Sequence, residues 1–329
     1  MEAGGPAVPP VVSDRPDAVY VPSHVEGMKM AGMGTAGDLK VALSYSYPHR
    51  FWLVTGTNRR KVAIRSKDSV HLMVSLWDPE TGVVPPSGSV STTITRDGES
   101  VAEKRMWPML SQNMGFHFGD NVALSGDGTY DVEVSVDPVG ARRTGAFTDR
   151  FDSQATTTTR LEFSRSNLQE VMFKPFDDRK GERDAVAPME MDMMPIATSP
   201  SRADLPGTVV GEATSGDAVF LATALESPPE GVDASGTYLA VSPRTPYNRY
   251  PLPFMTTSAT VTRDGDSVFD GDLRATVDPD LGLHYGAVVG ELSSGDELSL
   301  SVGVPPQLAR HEGYEMAFFE MPSMTMTVP

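Results

Sequence analysis

The sequence contains no cysteine, so disulfides, thiolate metal ligands and cysteine nucleophiles are excluded. Lysine is scarce, with seven residues in a chain of 329, and the net charge at pH 7 is −17. Because phosphate binding needs a basic face, we expect no nucleic-acid partner. Strong acidic self-repulsion is tolerated where salt screens it, and the composition therefore predicts a halophilic protein.

Long apolar runs are missing as well. No stretch approaches the roughly 20 apolar residues that span a bilayer. The first residues, MEAGGP, lack the basic and apolar regions of an export leader. We therefore expect a protein that either is not exported or has lost its leader from this sequence. Nucleophile-elbow, Walker A and dinucleotide-binding motifs do not occur in a supporting context, and we expect no enzyme activity.

Two stretches of the chain repeat each other at a fixed distance. Thr93–Val101 reads TITRDGESV, and Thr260–Val268 reads TVTRDGDSV. From His71 to Gly119, an offset of 167 residues gives 16 identities in 49 positions. A repeat of this length predicts the tandem duplication of one domain.

Strand patterns dominate both copies. Residues alternate between apolar and polar from Leu39 to Tyr45 and over Val132–Val136, and Asp-Gly turn signals separate such segments. The pattern predicts an all-β protein made of two antiparallel β-sandwiches. We place a flexible tail at 1–16, the first domain at 17–165, a linker with one short helix at 166–207 and the second domain at 208–329.

The segment from His24 to Met30 carries a first set of candidate metal ligands. In an extended strand, His24, Glu26, Met28 and Met30 lie on one face. Imidazole nitrogen and carboxylate oxygen suit Cu(II) or iron, and thioether sulfur suits Cu(I). The spacing alone predicts equally well a polar edge segment whose methionines only pack.

A histidine recurs at the same place in both copies. The pattern G-x-H-[FY]-G surrounds His117 and His284. A buried histidine bonded to the backbone is the alternative to a metal ligand. The survival of the pattern in both copies favours ligation, and so does Met109, a soft ligand shortly before His117.

Three other features are predicted to be structural. His49 and His71 lie in no glycine-bracketed motif, so we interpret them as packing residues. The methionine-rich run at 189–194 could gather metal weakly, but packing between the domains is the favoured interpretation.

The order of these motifs resembles that of the periplasmic iron-transport-associated proteins. The matching residues are His24, Glu26, Met109, His117, Gly119, Asn121, Gly128-Thr129-Tyr130 and Asp137-Pro138. The resemblance covers most of the first domain and, more weakly, the second. It implies immunoglobulin-like sandwiches, a copper or iron ion, and a membrane iron permease as partner. It also implies an extracytoplasmic or cell-surface location if a leader was removed.

In that family, a histidine crosses the dimer interface to complete the site. The first copy has Ala141-Arg142-Arg143-Thr144 at this place, whereas the second has Ala309-Arg310-His311-Glu312. The second copy has Thr276 where the first has Met109, and it lacks an H-x-E strand. The resemblance therefore implies a monomeric pseudo-dimer that keeps one site.

The predicted ligands of that site are His24, Glu26, Met109, His117 and His311. Because ligation needs neutral histidines, we expect binding to weaken at acid pH. A cell-surface structural β-sandwich protein without metal is the alternative. A copper redox enzyme is disfavoured, since the chain has no cysteine and no dense histidine set.

Overall fold

The computed structural model describes residues 7–86, 88–191 and 193–329. This part of the chain forms 22 strands, one short α-helix and one 3₁₀ turn. The strands of the first domain are β1 (His24–Glu26), β2 (Lys29–Ala36), β3 (Leu39–Ser46), β4 (Phe51–Thr55), β5 (Asn58–Val62), β6 (Val70–Trp77), β7 (Val90–Arg96), β8 (Glu99–Ser111), β9 (Gly115–Val122), β10 (Gly128–Val136), β11 (Arg142–Arg143), β12 (Ala155–Phe163) and β13 (Phe173–Pro175).

The second domain contains nine strands. They are β14 (Thr208–Ser215), β15 (Ala218–Leu225), β16 (Tyr238–Arg244), β17 (Thr256–Arg263), β18 (Asp266–Asp278), β19 (Gly282–Val288), β20 (Glu297–Val304), β21 (Ala309–Arg310) and β22 (Met324–Thr327). The 3₁₀ turn is Gly145–Phe147, and helix α1 is Arg165–Gln169. The prediction of two tandem immunoglobulin-like, antiparallel β-sandwich domains is confirmed.

The two domains have the same strand order. In the first domain it is β12-β10-β7-β8-β9-β6-β3-β2, and in the second β22-β20-β17-β18-β19-β16-β15-β14. Both long central strands, β8 and β18, are 13 residues in length. Each follows a two-residue turn, Asp97-Gly98 or Asp264-Gly265, in which both residues have positive φ. Such Asp-Gly turns match the twist of a hairpin, which explains why this sequence recurs in the two domains.

The domains exchange short strands. Strand β21 of the second domain pairs with β8 of the first, placing Ala309 opposite Met109. Strand β11 of the first domain pairs in the same parallel manner with β18 of the second, placing Arg142 opposite Thr276. A continuous apolar core also contains residues of both domains. The exchange brings His311, which follows β21, to the sheet of the first domain.

Parts of the chain at the predicted tail and linker contact the two sandwiches. Only residues 7–16 of the predicted tail lie within the described structure, and there Arg15 forms an ion pair with the buried Glu315. Helix α1 begins at Arg165, one residue before the predicted linker, and β13, within that linker, pairs with β1 of the first sandwich. The ion pair in the predicted tail and the strand pairing in the predicted linker are contacts that strand periodicity does not reveal. Among the described residues, no helix is long and apolar enough to cross a membrane.

Candidate metal centre

Four histidine rings meet where β21 joins the first domain. The ring centroids of His49 and His71 lie 3.8 Å apart, and those of His49 and His311 lie 4.6 Å apart. The ring of His117 lies 5.3 Å from that of His311. One ligand atom each of His49, His71 and His311 falls within 4.8 Å of the others, which is close enough for a shared metal ion.

Backbone register places these side chains. Met109 on β8 lies directly opposite His117 on β9. His71 is on the next strand, β6, opposite Asn121. The backbone N–H of His311 donates a hydrogen bond to the Leu110 carbonyl at 3.0 Å, and its Nε2 lies 3.4 Å from the Met109 sulfur. Met109 therefore contributes a thioether to the same cluster.

The hydrogen bonds at Nδ1 determine the tautomers of three rings. His117 Nδ1 lies 3.1 Å from the Gly115 carbonyl, which can only accept, so Nδ1 carries the proton. His49 Nδ1 lies 2.9 Å from a carboxylate oxygen of Glu26, and His71 Nδ1 lies 3.0 Å from Asn121 Oδ1. Each bond turns the Nε2 lone pair away from its partner, as in the outer shell of known metal sites.

The opposite nitrogens have no protein partner. Nε2 of His49, His71 and His117 is buried, with no hydrogen-bond partner among the described residues. A buried polar atom without a partner costs about 1–3 kcal/mol, so three of them in one histidine cluster need an explanation. A metal ion bound by these nitrogens and by the Met109 sulfur would satisfy them.

Gly119 leaves room in this cluster. A Cβ atom at this position would lie 2.7 Å from His71 Nε2 and 3.0 Å from the Met109 sulfur. Any larger residue would therefore occupy the space between two candidate ligands. This close approach explains the final glycine of the G-x-H-[FY]-G pattern in the first domain.

The electrostatics favour neutral imidazoles. Burial lowers the pKa of His117 to about 4, and it lowers the pKa values of His71 and His311 well below the usual value. Neutral histidine is the form that binds metal, so near pH 7 these rings need not lose a proton first. Neutral nitrogen and thioether donors suit copper better than Mg²⁺ or Ca²⁺, which prefer oxygen.

The predicted ligands fall into two groups. Met109, His117 and His311 lie together in the cluster. Glu26 accepts a hydrogen bond from His49 Nδ1, and its other oxygen lies 3.3 Å from His24 Nε2. Burial alone would raise the pKa of Glu26, but the nearby His49 and His24 outweigh it and hold the pKa at about 2. Glu26 therefore orients His49, and His24 lies behind it.

The expected one-sided strand from His24 to Met30 is not formed. Strand β1 ends at Glu26, and the N–H of Gly27 bonds to the Met172 carbonyl at 2.8 Å. The next strand, β2, begins at Lys29, and Met28 and Met30 pack in a separate apolar cluster. The alternation rule holds only within an uninterrupted strand, and β13 pairs only with the first three residues of this segment.

The structure places His49 and His71, which the sequence analysis interpreted as packing residues, among the candidate metal ligands. They stand at the centre of the cluster, and no local motif marks them. The repeat gave a misleading signal for His71, because the equivalent position at the offset of 167 is Tyr238. A useful signal was the presence of a histidine, His71, in a largely apolar strand, VHLMVSLW.

The equivalent place in the second domain is built differently. His284 Nδ1 also faces a glycine carbonyl, that of Gly282, at 3.1 Å. Its Nε2, however, lies 3.0 Å from the hydroxyl of Tyr238, which can donate to it. Thr276 stands where the first domain has Met109. His284 is therefore satisfied by protein groups, and this place has no set of free donors like that of the first domain.

Comparison with protein families gives one match. The family described as "Domain of unknown function (DUF7350)" matches residues 28–159 and 203–327. These ranges cover most of both domains, and the chain belongs to this family. No match was found among curated proteins.

Three similar solved structures each match about two fifths of this chain over nearly all of their own length. FetP of uropathogenic E. coli strain F11 is 21% identical, and the match covers 42% of this chain and 96% of FetP with a TM-score of 0.33. A copper-bound variant of the same FetP is 22% identical, with 41% and 97% covered and a TM-score of 0.34. A copper-bound variant of Campylobacter jejuni P19 is 11% identical, with 41% and 95% covered and a TM-score of 0.30.

Proposed function

We propose that this member of the DUF7350 family binds one copper ion at the cluster of His49, His71, His117, His311 and Met109. One observation carries the proposal: three buried imidazole nitrogens have no protein partner, in a cluster that also holds the buried Met109 thioether. Imidazole and thioether together match the ligand preferences of copper, which accepts nitrogen in either oxidation state and sulfur as Cu(I).

We further propose that copper binding serves metal acquisition outside the cytoplasm. The sequence resemblance to iron-transport-associated proteins motivates this role, with iron as a second cargo and a membrane iron permease as the recipient. A binding protein of this kind needs no catalytic residues. We also propose that the repeat arose by tandem duplication of a dimer-forming domain, and that the chain is a monomer. The exchanged strands β11 and β21 support the pseudo-dimer, since each domain lends one strand to the other.

Metal titration of the purified, metal-free chain tests the proposal. We expect one equivalent of copper to bind tightly, as measured by calorimetry or by competition with a chromogenic chelator. His117→Ala removes a central donor and should abolish tight binding. His284→Ala is the matched control, because it removes an equally buried histidine that faces Tyr238.

The outcomes separate the candidate functions. If His117→Ala loses tight copper binding and His284→Ala retains it, the metal site is supported. If the unsubstituted protein binds no copper, the proposal is contradicted and the alternative, a structural β-sandwich protein without metal, is favoured. Equal loss of copper binding in both variants, with circular dichroism and thermal melting showing that both are folded, would remove the assignment.

A further inference from the structure

Methionines gather in one place beside the metal centre. A separate apolar cluster of ten residues contains seven methionines and only three other members, Ala42, Trp77 and Val84. We call these seven residues the methionine cluster: Met28, Met30, Met73, Met114, Met189, Met191 and Met194. The whole chain has 18 methionines, so this one cluster holds more than a third of them.

The methionine cluster borders the histidines. Met73 and Met114 line a cavity that also has His24, Glu26, His49 and His311 in its wall. Met73 lies two residues after His71 on β6, so their side chains leave the strand on the same face. Two methionines of the cluster, Met73 and Met114, therefore line the same cavity as two histidines of the metal centre, His49 and His311.

The linker methionines are held at this place by hydrogen bonds. The backbone N–H of Met189 donates to the Asn113 carbonyl at 2.8 Å. The Asn113 side chain in turn donates to the carbonyl of Glu26 at 2.8 Å. The segment after Met189 is thus fixed to the turn between β8 and β9, next to the residue that orients His49.

Packing alone does not account for so many methionines. The equivalent apolar cluster of the second domain contains Leu205, Leu221, Tyr238, Ala240 and Leu281, with Val209, Leu225, Val232 and Val288 packed against it. It contains no methionine among the described residues.

Equivalent positions can be compared one by one. Strand register and the repeat offset place Val209 at the position of Met30, Ala240 at that of Met73 and Leu281 at that of Met114. The same fold therefore packs this region with aliphatic residues where no open histidine centre lies beside it. Among the described residues, methionine occurs in this region only in the domain that has the free imidazole nitrogens.

We propose that the methionine cluster is a second metal site, built from thioethers alone, that binds Cu(I) and passes it to the histidine centre. Thioether ligands select Cu(I), and Ag(I) is the redox-inert ion of the same preference. Binding at the cluster is independent of the histidines; only the destination of the ion rests on the proposed function.

The first test observes the methionine methyl groups directly in a chain without the histidine centre. His117→Ala/His311→Ala, labelled with [methyl-¹³C]methionine, is titrated with Ag(I) and then, under reducing conditions, with Cu(I). We expect resonances of the methionine cluster to shift with the first equivalent, while those of Met324 and Met326 in the second domain stay unchanged. Unchanged cluster resonances with both ions would overturn the proposal.

The second test removes sulfur while keeping the packing. Met189→Leu/Met191→Leu/Met194→Leu conserves volume and apolarity, so the chain should fold. In the unsubstituted histidine background, we expect it to lose the Cu(I) equivalent held by the cluster and to weaken Ag(I) binding by about tenfold or more. The control Met324→Leu/Met326→Leu exchanges two buried core methionines and should lose nothing.

The results distinguish this inference from the proposed function. If the methionine methyl resonances shift but the histidine centre of the unsubstituted chain binds no copper, the thioether site is supported. Transfer of copper to the histidine centre is then contradicted. Equal loss of Ag(I) affinity in the linker variant and in the control would show that the linker sulfurs are not ligands, and would overturn the site.

Discussion

The two copies of the G-x-H-[FY]-G segment hold their histidines in the same way and surround them differently. His117 and His284 each have Nδ1 at 3.1 Å from a glycine carbonyl two residues earlier in the chain. Burial lowers the pKa of both rings to about 4. The motif therefore encodes a neutral, oriented imidazole in both domains, and the difference lies in what faces Nε2.

In the second domain, hydrogen bonds replace the donors of the first. Tyr238, which stands where the first domain has His71, lies within hydrogen-bond distance of His284 Nε2. Thr144, which stands where the second domain has His311, donates to Asp278 at 2.7 Å. Thr276 in place of Met109 bonds to the Arg274 carbonyl at 2.9 Å. One fold therefore accommodates a satisfied polar network in the second domain and a set of free donors in the first. Only the free donors of the first domain need a ligand to complete them.

The largest expected effect comes from filling the space between the donors. Gly119→Ala would place a methyl group 2.7 Å from His71 Nε2, so we expect copper affinity to fall by about 100-fold or more. Gly286→Ala is the counterpart: its methyl group would overlap the Tyr238 hydroxyl and lower the melting temperature. It should leave copper binding intact. Chelator competition and thermal melts of both variants measure these effects, and equal copper affinities in the two would contradict the assigned site.

The converse experiment converts the second domain towards the first. Tyr238→His, Thr276→Met and Thr144→His together restore the donors found at the equivalent positions of the first domain. We expect the copper stoichiometry to rise from one towards two, with the new ion bound more weakly, because Arg142 approaches this place and carries positive charge. Titration monitored by copper absorption measures the stoichiometry. If the triple variant folds and still binds one equivalent, these three exchanges do not account for the difference between the domains.

The sequence predicts much of this fold because the repeat and the turns are local. The Asp-Gly pairs specify hairpins, strand alternation specifies two faces, and the offset of 167 residues aligns β8 with β18. Met109 and His117 could also be paired from sequence, since one hairpin joins them. His311 was identified only through the family resemblance, because the contact depends on strand exchange between domains.

His49 and His71 could not be assigned from local patterns. His49 comes near the cluster because Asn121 bonds to both its backbone N–H and its carbonyl, 72 residues apart in the chain. His71 belongs to a strand whose partner, β9, is more than 40 residues away. Sites assembled by long-range pairing leave no fixed spacing in the sequence, so the donors appear there as unrelated single residues.

A pH titration tests the lowered pKa that His117 and His284 share, and His284 is the one examined. His284 has a pKa of about 4 in the folded chain and of about 6.5 when unfolded. The unfolded state therefore binds more protons between these values, and stability is lost as pH falls from 6.5 to 4. The shift corresponds to about 3 kcal/mol at about 1.4 kcal/mol per pH unit. With metal removed, the stability difference between the parent and His284→Phe should shrink by about this amount over that range. Urea unfolding at each pH measures it, and a pH-independent difference would contradict the depressed pKa.

The smallest effect tests the residue that supports two donors at once. Asn121 Oδ1 accepts from His71 Nδ1 at 3.0 Å, and its amide donates to the His49 carbonyl at 2.9 Å. Asn121→Ala removes these two bonds and the one that Oδ1 accepts from the His49 backbone N–H, without removing a donor to the metal. Outer-shell residues of this kind contribute about 10- to 100-fold to metal affinity, and we expect a loss in this range.

Val288, the equivalent residue at the repeat offset, pairs with Tyr238 and touches no free imidazole. Val288→Ala should therefore leave copper affinity unchanged while shortening a partly buried side chain at the equivalent place. Chelator competition on both variants decides the point: equal affinities would show that the orientation of His49 and His71 is set by the sheet alone, whereas a selective loss in Asn121→Ala would show that this amide prepares two rings for one ion.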